Sequence, residues 1–155
     1  MELKFSSKFL DNMTKEEKAA CYSFSLAGGQ EIFSSQRPLQ SDKRLRVFLV
    51  RVNGRIIAWS TCDFTGTKER KRKYYGDNGQ PLCTNYSGSG REACIFVNVR
   101  KSYRRKGIGT ALVKRAIKYA HFIKKTALVY PHDDTSRDFY DHLGELEKFA
   151  DAYNR

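Results

Sequence analysis

The amino-acid sequence, 155 residues long, predicts a single α/β domain with a mixed, largely antiparallel sheet. Two segments rich in apolar and β-branched residues, 45–52 and 55–62, flank Asn53-Gly54, the strongest short signal for a hairpin turn. Farther along, a strand-like run at 95–99 leads into an amphipathic helix, and another strand-like run follows that helix. A hairpin followed by alternating strand and helix is typical of the mixed α/β class.

The N-terminal part of the chain is expected to add one strand and one helix. Residues 3–9 are expected to form a short first strand. The segment Thr14–Glu17 has the spacing of a capping box, which predicts a helix that runs to about Leu26 and ends at a glycine pair. Residues 31–40 leave two alternatives open, a short second helix or a loop interrupted by Pro38.

A long connection interrupts this pattern between the third and fourth predicted strands. Residues 63–90 contain five glycines, one proline and many charges, with little periodicity. They predict a long variable loop or an extended hairpin inside the domain of residues 1–155. The basic run 68–73 stands beside Tyr74 and Tyr75, a combination that suits nucleic acid, although a solvated loop is the alternative.

The junction between the 95–99 strand and the following helix has the features of an anion-binding turn. From Ile108 onward the apolar residues fall on one helical stripe. The helix opens on Gly107 and Gly109, which lack a Cβ and let a ligand approach the backbone closely. Unpaired backbone N–H groups and the positive end of the helix dipole then lie together at the helix start. Both favour an anion, which predicts a phosphate or diphosphate site. The alternative is that the glycines only satisfy tight packing.

The same junction resembles the acetyl-CoA signature of the GNAT superfamily of N-acyltransferases. That signature reads Gln/Arg-x-x-Gly-x-Gly/Ala between the fourth strand and the next helix, and Arg104, Gly107 and Gly109 meet it here. Two positions depart from the common pattern, since Lys101 stands where relatives often carry proline and Arg105 where they often carry glycine. Neither change removes a backbone donor from the turn.

A second motif follows the predicted strand at 126–130. The segment beginning at Asp133 resembles the family motif Asn-x-x-Ala-x-x-Phe-Tyr-x-x-Leu-Gly, with Asp133 at the Asn position and Ser136 at the Ala position. The other positions match outright: Phe139, Tyr140, Leu143 and Gly144. Two motifs in the right order identify the chain as GNAT-like. The resemblance implies a central sheet with helices on both faces and an N-acetyltransferase that uses acetyl-CoA.

The resemblance also implies roles for individual residues. Backbone N–H groups of Val97 and Val99 would face the pantetheine and the thioester carbonyl, and Tyr140 would be the general acid that protonates the departing thiolate. The implied coenzyme site comprises Val97, Val99, Arg104, Arg105, Lys106, Gly107, Ile108, Gly109, Thr110, Asp133 and Ser136. Glu92 and Asp63, each beside a strand end, are candidate general bases. The alternatives are that both are solvated carboxylates and that a water chain carries the proton.

The net charge of +12 exceeds what one coenzyme needs and suggests a polyanionic partner or an acidic protein surface. The first expectation for the acceptor is therefore an amine linked to nucleic acid, such as charged tRNA or a modified base, with a protein amine second. A small polyamine or an aminoglycoside is less favoured because a cationic protein repels cationic substrates. The rival hypothesis is a GNAT-fold module that has lost catalysis and binds nucleic acid or an acidic protein.

The cysteines, the histidines and the apolar runs indicate what to expect of metal binding and cellular location. The cysteines, Cys21, Cys62, Cys83 and Cys94, show no Cys-x-x-Cys pair, which argues against a zinc site and favours reduced thiols. The histidines, His121, His132 and His142, are too scattered for a metal site, so none is expected. The chain has no apolar run long enough to span a membrane and begins without the apolar segment of a signal peptide. A cytoplasmic location away from membranes is the expectation.

The C-terminal end departs from the family pattern. Relatives usually continue with one or two further strands, whereas only residues 145–155 follow the second motif here. This predicts a shortened C-terminus, in which the last helix continues or residues 145–152 form one strand. A missing strand could be supplied by a partner chain, and since relatives often dimerise, a homodimer is one expectation.

Overall fold

In a computed structural model of the protein, the described residues are 1–25, 30, 32–34, 45–64, 73–75, 81–84 and 92–128. Their strands are β1 (Lys4–Phe9), β2 (Leu45–Val52), β3 (Arg55–Asp63), β4 (Lys73–Tyr75), β5 (Pro81–Thr84), β6 (Glu92–Val99) and β7 (Thr126–Leu128). The α-helices with both ends described are α1 (Lys15–Phe24) and α2 (Ile108–Phe122), and residues 30, 32 and 33 are also helical. Short 3-10 turns occupy Leu10–Asn12 and Lys101–Tyr103.

The central sheet has five strands in the order β1-β2-β3-β6-β7. The pairs β1–β2, β2–β3 and β3–β6 are antiparallel, whereas β6 and β7 are parallel. The parallel pair is joined through α2, because parallel neighbours need a crossover connection. The prediction of a mixed, largely antiparallel sheet is confirmed.

The two helices lie on opposite faces of this sheet, as the resemblance implied. On one face, α2 packs its buried side chains against residues of the sheet such as Val50, Ile57 and Ile95. The buried residues of α2 are Ile108, Leu112, Val113, Ala116, Ile117 and Ala120. The predicted stripe shares four of them, but it also contained Tyr119 and Ile123, which are half-buried, and it lacked Val113 and Ile117. On the other face, Cys21 of α1 packs in a cluster around Trp59, which is completely buried. Because successive side chains of a strand point to opposite faces of the sheet, the strands contribute residues to both cores.

The β2–β3 hairpin turns at the predicted Asn53-Gly54 pair. Both residues have positive φ, 50° and 78°, the requirement of the turn type that matches strand twist. A β-bulge follows, because the register passes from Val50 opposite Ala58 to Arg51 opposite Ile56. The intervening residue of β3 has no partner on β2, and its backbone is free to serve another segment.

The start of α1 is fixed by the predicted capping box. The Thr14 hydroxyl accepts a hydrogen bond from the Glu17 backbone N–H at 3.1 Å, and the Glu17 carboxylate accepts one from the Thr14 N–H at 2.9 Å. The same carboxylate pairs with Lys8 of β1 at 2.9 Å and Arg51 of β2 at 2.6 Å. Partial burial would raise the pKa of Glu17, but these donors and cations lower it to about 2. The helix start is thereby tied to two strands.

Glu17→Gln is expected to lower the free energy of unfolding by about 1–2 kcal/mol at neutral pH, since it removes a charged partner of the cap. Because the folded-state pKa is about 2 against an ordinary 4.5, the contribution is complete above pH 4.5 and is lost as the pH falls towards 2. Urea unfolding of both proteins at several pH values measures this. The control is Glu16→Gln, at the exposed neighbouring residue of the same turn. It should change the free energy of unfolding little.

The connection between β3 and β6 contains a hairpin of its own. Strands β4 and β5 pair antiparallel in a separate two-stranded sheet, with Lys73 opposite Thr84 and Tyr74 opposite Cys83. This favours the extended-hairpin alternative for residues 63–90. Helix α1 ends at Phe24, because Ser25 has extended backbone angles, so the predicted run to about Leu26 is two residues too long. The glycine pair 28–29, Pro38 and the whole segment after residue 128 lie outside the described residues.

The cysteines differ from the expectation of four reduced thiols. Cys21 and Cys62 are buried free thiols, but Cys94 of β6 is disulfide-bonded. The prediction of reduced cysteines is therefore wrong for Cys94. Sequence spacing did not reveal the bond because a disulfide depends on which side chains the fold brings together. Neither described helix is long and apolar enough to cross a membrane.

Candidate coenzyme site

The last residues of β6 direct alternate backbone groups away from β3. The Arg100 N–H donates to the Ile57 carbonyl at 2.8 Å, and Val99 lies opposite Ala58 in the antiparallel register. This is the non-hydrogen-bonded type of pair, so the N–H of Val99, and by alternation that of Val97, points to the β7 side. The β3–β6 register therefore directs both N–H groups away from β3, and their contact with the coenzyme stays a prediction.

The turn after β6 curls back towards the strand end. The Arg104 side chain donates from Nε to the Val99 carbonyl at 2.9 Å, so this arginine covers an acceptor on the β7 side of the strand. Two residues of the turn have positive φ, Arg105 at 61° and Gly107 at 78°. Turns with left-handed residues bring successive N–H groups to one side, which is a common anion-binding arrangement.

Helix α2 begins at this turn without a side-chain cap. Its N-cap is Gly107, and no acidic residue occupies the first turn. The first amides of a helix have no acceptor within the helix, so those of Ile108, Gly109 and Thr110 are directed outward, and the dipole adds positive potential. Arg104, Arg105 and Lys106 are all exposed beside them. Since a Cβ at Gly107 would meet nothing within 4 Å, the approach to these amides is open.

The base of α2 is anchored in the sheet. Ile108 and Leu112 are buried on the side facing β3 and β6. The Ser60 hydroxyl of β3 donates to the Leu112 carbonyl at 2.9 Å. The first half of α2 is therefore anchored to β3, the strand that pairs with β6.

A family model for the acetyltransferase (GNAT) family matches residues 10–144. The match covers most of the chain and includes both motifs noted in the sequence. The chain belongs to the GNAT acetyltransferase family. It is an N-acetyltransferase, and its acetyl donor is acetyl-CoA. The family, the enzyme class and the cofactor expected from the resemblance are confirmed.

Solved acetyltransferase structures share the fold of this chain at low sequence identity. An aminoglycoside acetyltransferase from an uncultured soil metagenomic sample is 15% identical, with a TM-score of 0.56 over 93% of this chain and 91% of that one. Ribosomal-protein-alanine N-acetyltransferase from Brucella melitensis is 14% identical, with a TM-score of 0.54 over 92% and 90%.

A third structure, AAC(6')-Iy bound to a bisubstrate CoA analogue, is 12% identical, with a TM-score of 0.54 over 93% of this chain and 90% of that one. No curated protein matches the chain. At these identities the likeness establishes the fold of this acetyltransferase and leaves its acceptor open.

The two candidate general bases of the acetyltransferase lie apart from the end of β6. Glu92 begins β6 opposite Thr126 of β7, and Val97 is five residues, roughly 17 Å of extended strand, farther on. Asp63 is fully buried where β3 pairs with Cys94, so the expectation that it is a solvated carboxylate is wrong. The end of β3 lies inside the sheet because β6 continues as far back as residue 92. The strand spacing brings neither group to Val97.

The described free thiols are poorly suited to act as acyl acceptors. Burial raises the pKa of the Cys21 thiol to about 12, with a further increase from the charge of Glu17. Burial likewise raises the pKa of the Cys62 thiol to about 12. Both groups are protonated at neutral pH, and a thiolate is needed for attack on a thioester.

The second motif lies in a part of the chain that the structure does not describe. Tyr140, Asp133 and Ser136 fall outside the described residues, so their placement at the coenzyme stays a prediction. One residue near the site was not singled out from the sequence. Arg100 contacts Ile56, 44 positions away in the chain, and no local pattern signals such a contact.

Proposed function

We propose that this acetyltransferase holds the diphosphate of acetyl-CoA on the backbone amides of Ile108, Gly109 and Thr110. The observation that carries the proposal is the uncapped start of α2 at left-handed Gly107. Three neighbouring cations, Arg104 to Lys106, supply the opposite charge. The pantetheine then runs along β6, where the N–H groups of Val97 and Val99 face it.

The thioester carbonyl is held by these strand amides. Val97 and Val99 both direct their N–H groups to the β7 side, and a donor aimed at a carbonyl oxygen stabilises the negative charge that develops there during attack. The chemistry is direct transfer. The amine nitrogen bonds to the acetyl carbon, the carbon–sulfur bond breaks, and the sulfur leaves as a thiolate.

Tyr140 is the proposed general acid for that thiolate. A phenol has an ordinary pKa of about 10, so it carries its proton at neutral pH and can donate it. The proton lost by the amine passes to solvent through water, because the strand spacing puts Glu92 far from Val97. Asp133 and Ser136 complete the proposed coenzyme contacts.

The proposed acceptor is an amine carried by nucleic acid. The charge of the chain is uneven, since residues 93–128 contain Lys and Arg but no Asp or Glu. Their basic residues are Arg100, Lys101, Arg104, Arg105, Lys106, Lys114, Arg115, Lys118, Lys124 and Lys125. Lys114, Arg115 and Lys118 are exposed along the outer face of α2, beyond the turn that serves the coenzyme. Exposed basic side chains in a stretch of sequence without acidic residues attract a polyanion.

Incubation with acetyl-CoA and separate acceptor pools, read by mass, tests the function. Charged tRNA is expected to gain an acetyl group in preference to a protein mixture and to polyamines. Acetylation confined to protein amines would replace the nucleic-acid acceptor with a protein one. Coenzyme binding without transfer to any pool would favour the catalytically inactive binding module.

The double variant Lys114→Glu/Lys118→Glu is expected to weaken single-stranded RNA binding and to flatten its salt dependence. Each lost phosphate contact reduces the slope of log affinity against log salt by roughly 0.7, so the pair should reduce it by about 1.4. Fluorescence titration of labelled RNA at several salt concentrations measures both quantities. Lys4→Glu/Lys15→Glu makes the same charge change at exposed positions off α2 and is the control. An equal loss in the control would refute the proposed surface.

A further inference from the structure

Arg100, the residue directly after β6, joins three elements near the coenzyme site. Its backbone N–H donates to the Ile57 carbonyl at 2.8 Å, and its side-chain Nε donates to the Ile56 carbonyl at 2.9 Å. Its guanidinium carbon lies 4.4 Å from the centre of the Phe24 ring, at the end of α1. One half-buried side chain therefore connects β6, β3 and α1.

The carbonyls that Arg100 uses belong to the bulge in β3. Ile57 is the residue that has no partner on β2, because the register passes from Ala58 to Ile56 across the bulge. A bulge interrupts the ladder and leaves backbone groups that need partners from elsewhere. Arg100 donates to the carbonyls of both residues, to Ile57 from its backbone and to Ile56 from its side chain, and so ties the end of β6 to the bulge.

We propose that Arg100 is a positioning residue for acetyl-CoA, which clamps the end of β6 to the β3 bulge and keeps the Val97 and Val99 amides directed at the coenzyme. The inference rests on the coenzyme placement proposed above. Alternation along the strand gives the reason, because a donor pair on Arg100 directed to β3 forces the amide of Val99 to the opposite side. Loss of the clamp lets the strand end rotate and misaligns both donors.

The contacts of Arg100 separate this role from a direct charge contact with the coenzyme phosphates. Its guanidinium packs on Phe24 of α1, and α1 lies on the face of the sheet opposite to α2. The uncapped helix start that receives the diphosphate belongs to α2. Arg100 therefore acts through the backbone of β6, and its effect should concern the pantetheine and thioester part of the ligand.

Arg100→Met tests the proposal, with Arg46→Met as its matched control. Arg46 also stacks on a ring, 4.7 Å from the centre of Phe9, and donates one side-chain hydrogen bond, to Ser7 at 2.8 Å. It lies on β2 opposite Cys62, near the other end of the sheet. Calorimetric titration with acetyl-CoA is expected to show an affinity about 10-fold lower for Arg100→Met and unchanged for Arg46→Met.

Acetyl-pantetheine, which lacks the diphosphate, separates the two roles. A positioning role predicts the same fold-loss with acetyl-pantetheine as with acetyl-CoA, whereas a phosphate contact predicts a loss only with acetyl-CoA and would overturn the proposal. Arg100→Lys keeps the charge but not the Nε–H, so it should recover less than half of the lost affinity. Full recovery by lysine would likewise contradict the clamp.

A further readout and a second variant keep the outcome decisive. The N–H of residue 100 donates to the Ile57 carbonyl, so its protection from hydrogen exchange should fall in Arg100→Met relative to Arg46→Met, and equal protection would overturn the proposal. If Arg100→Met does not fold, Arg100→Gln carries the same predictions. Failure of the wild-type protein to bind acetyl-CoA would contradict the proposed coenzyme placement. If the wild type binds and a folded Arg100→Met binds with the same affinity, only the role of Arg100 is contradicted.

Discussion

Gly107→Glu is expected to reduce acetyl-CoA affinity by roughly 100-fold or more while the protein stays folded. A like-charge pair about 4 Å apart costs about 4 kcal/mol at an effective dielectric constant of 20, and the new carboxylate would stand beside the coenzyme diphosphate. The side chain has room, since a Cβ at this position meets nothing within 4 Å. Calorimetric titration measures the affinity, and circular dichroism checks the fold.

The structure offers a matched control for this substitution. Gly54 has the same φ of 78° and the same open surroundings as Gly107, but it lies in the β2–β3 turn. Gly54→Glu therefore introduces the same charge and the same backbone strain, about 1 kcal/mol, away from α2. Gly107→Ala introduces the strain at the site without the charge. Coenzyme affinity should be near wild type in Gly54→Glu and modestly reduced in Gly107→Ala. Wild-type affinity in a folded Gly107→Glu would show that the diphosphate binds elsewhere.

Tyr140→Phe is expected to lower kcat about 100-fold with little change in coenzyme affinity, because it removes only the proton donor for the thiolate. Steady-state kinetics with acetyl-CoA and the acceptor that proves active measure both quantities. The alkaline decline of the pH–rate profile, which reports ionisation of the acid, should also disappear in the variant.

Tyr119→Phe makes the same chemical change outside the proposed site. Tyr119 lies in an aromatic group near the end of α2, with its ring centre 5.9 Å from that of Phe48 and 6.4 Å from that of Phe122. The kcat of the Tyr119→Phe variant should equal that of the wild type. A wild-type rate in Tyr140→Phe would transfer the acid role to another group or to water.

The parts of the fold that the sequence predicted are set by local interactions. The Asn53-Gly54 turn needs two positive φ angles, the Thr14 capping box closes within one helical turn, and the start of α2 follows from Gly107 and an apolar stripe. Each signal lies within a few residues, so spacing alone indicated the element. The turn that begins α2 at left-handed Gly107 was predictable for the same reason.

The features that the sequence did not predict depend on residues distant in the chain. Asp63 is buried because β6 pairs with the end of β3. The disulfide at Cys94 and the clamp at Arg100 need neighbours that only the folded sheet provides. The bulge at Ile57 was not predicted, because it lies in a run of apolar residues that is typical of an ordinary strand.

The most direct test of the coenzyme placement is a titration of the wild-type protein with acetyl-CoA, followed by backbone amide NMR. The largest shifts are predicted at Ile108, Gly109 and Thr110 of α2 and at Val97 and Val99 of β6, with small changes in α1. Shifts concentrated on other elements, or none at millimolar acetyl-CoA, would contradict the account.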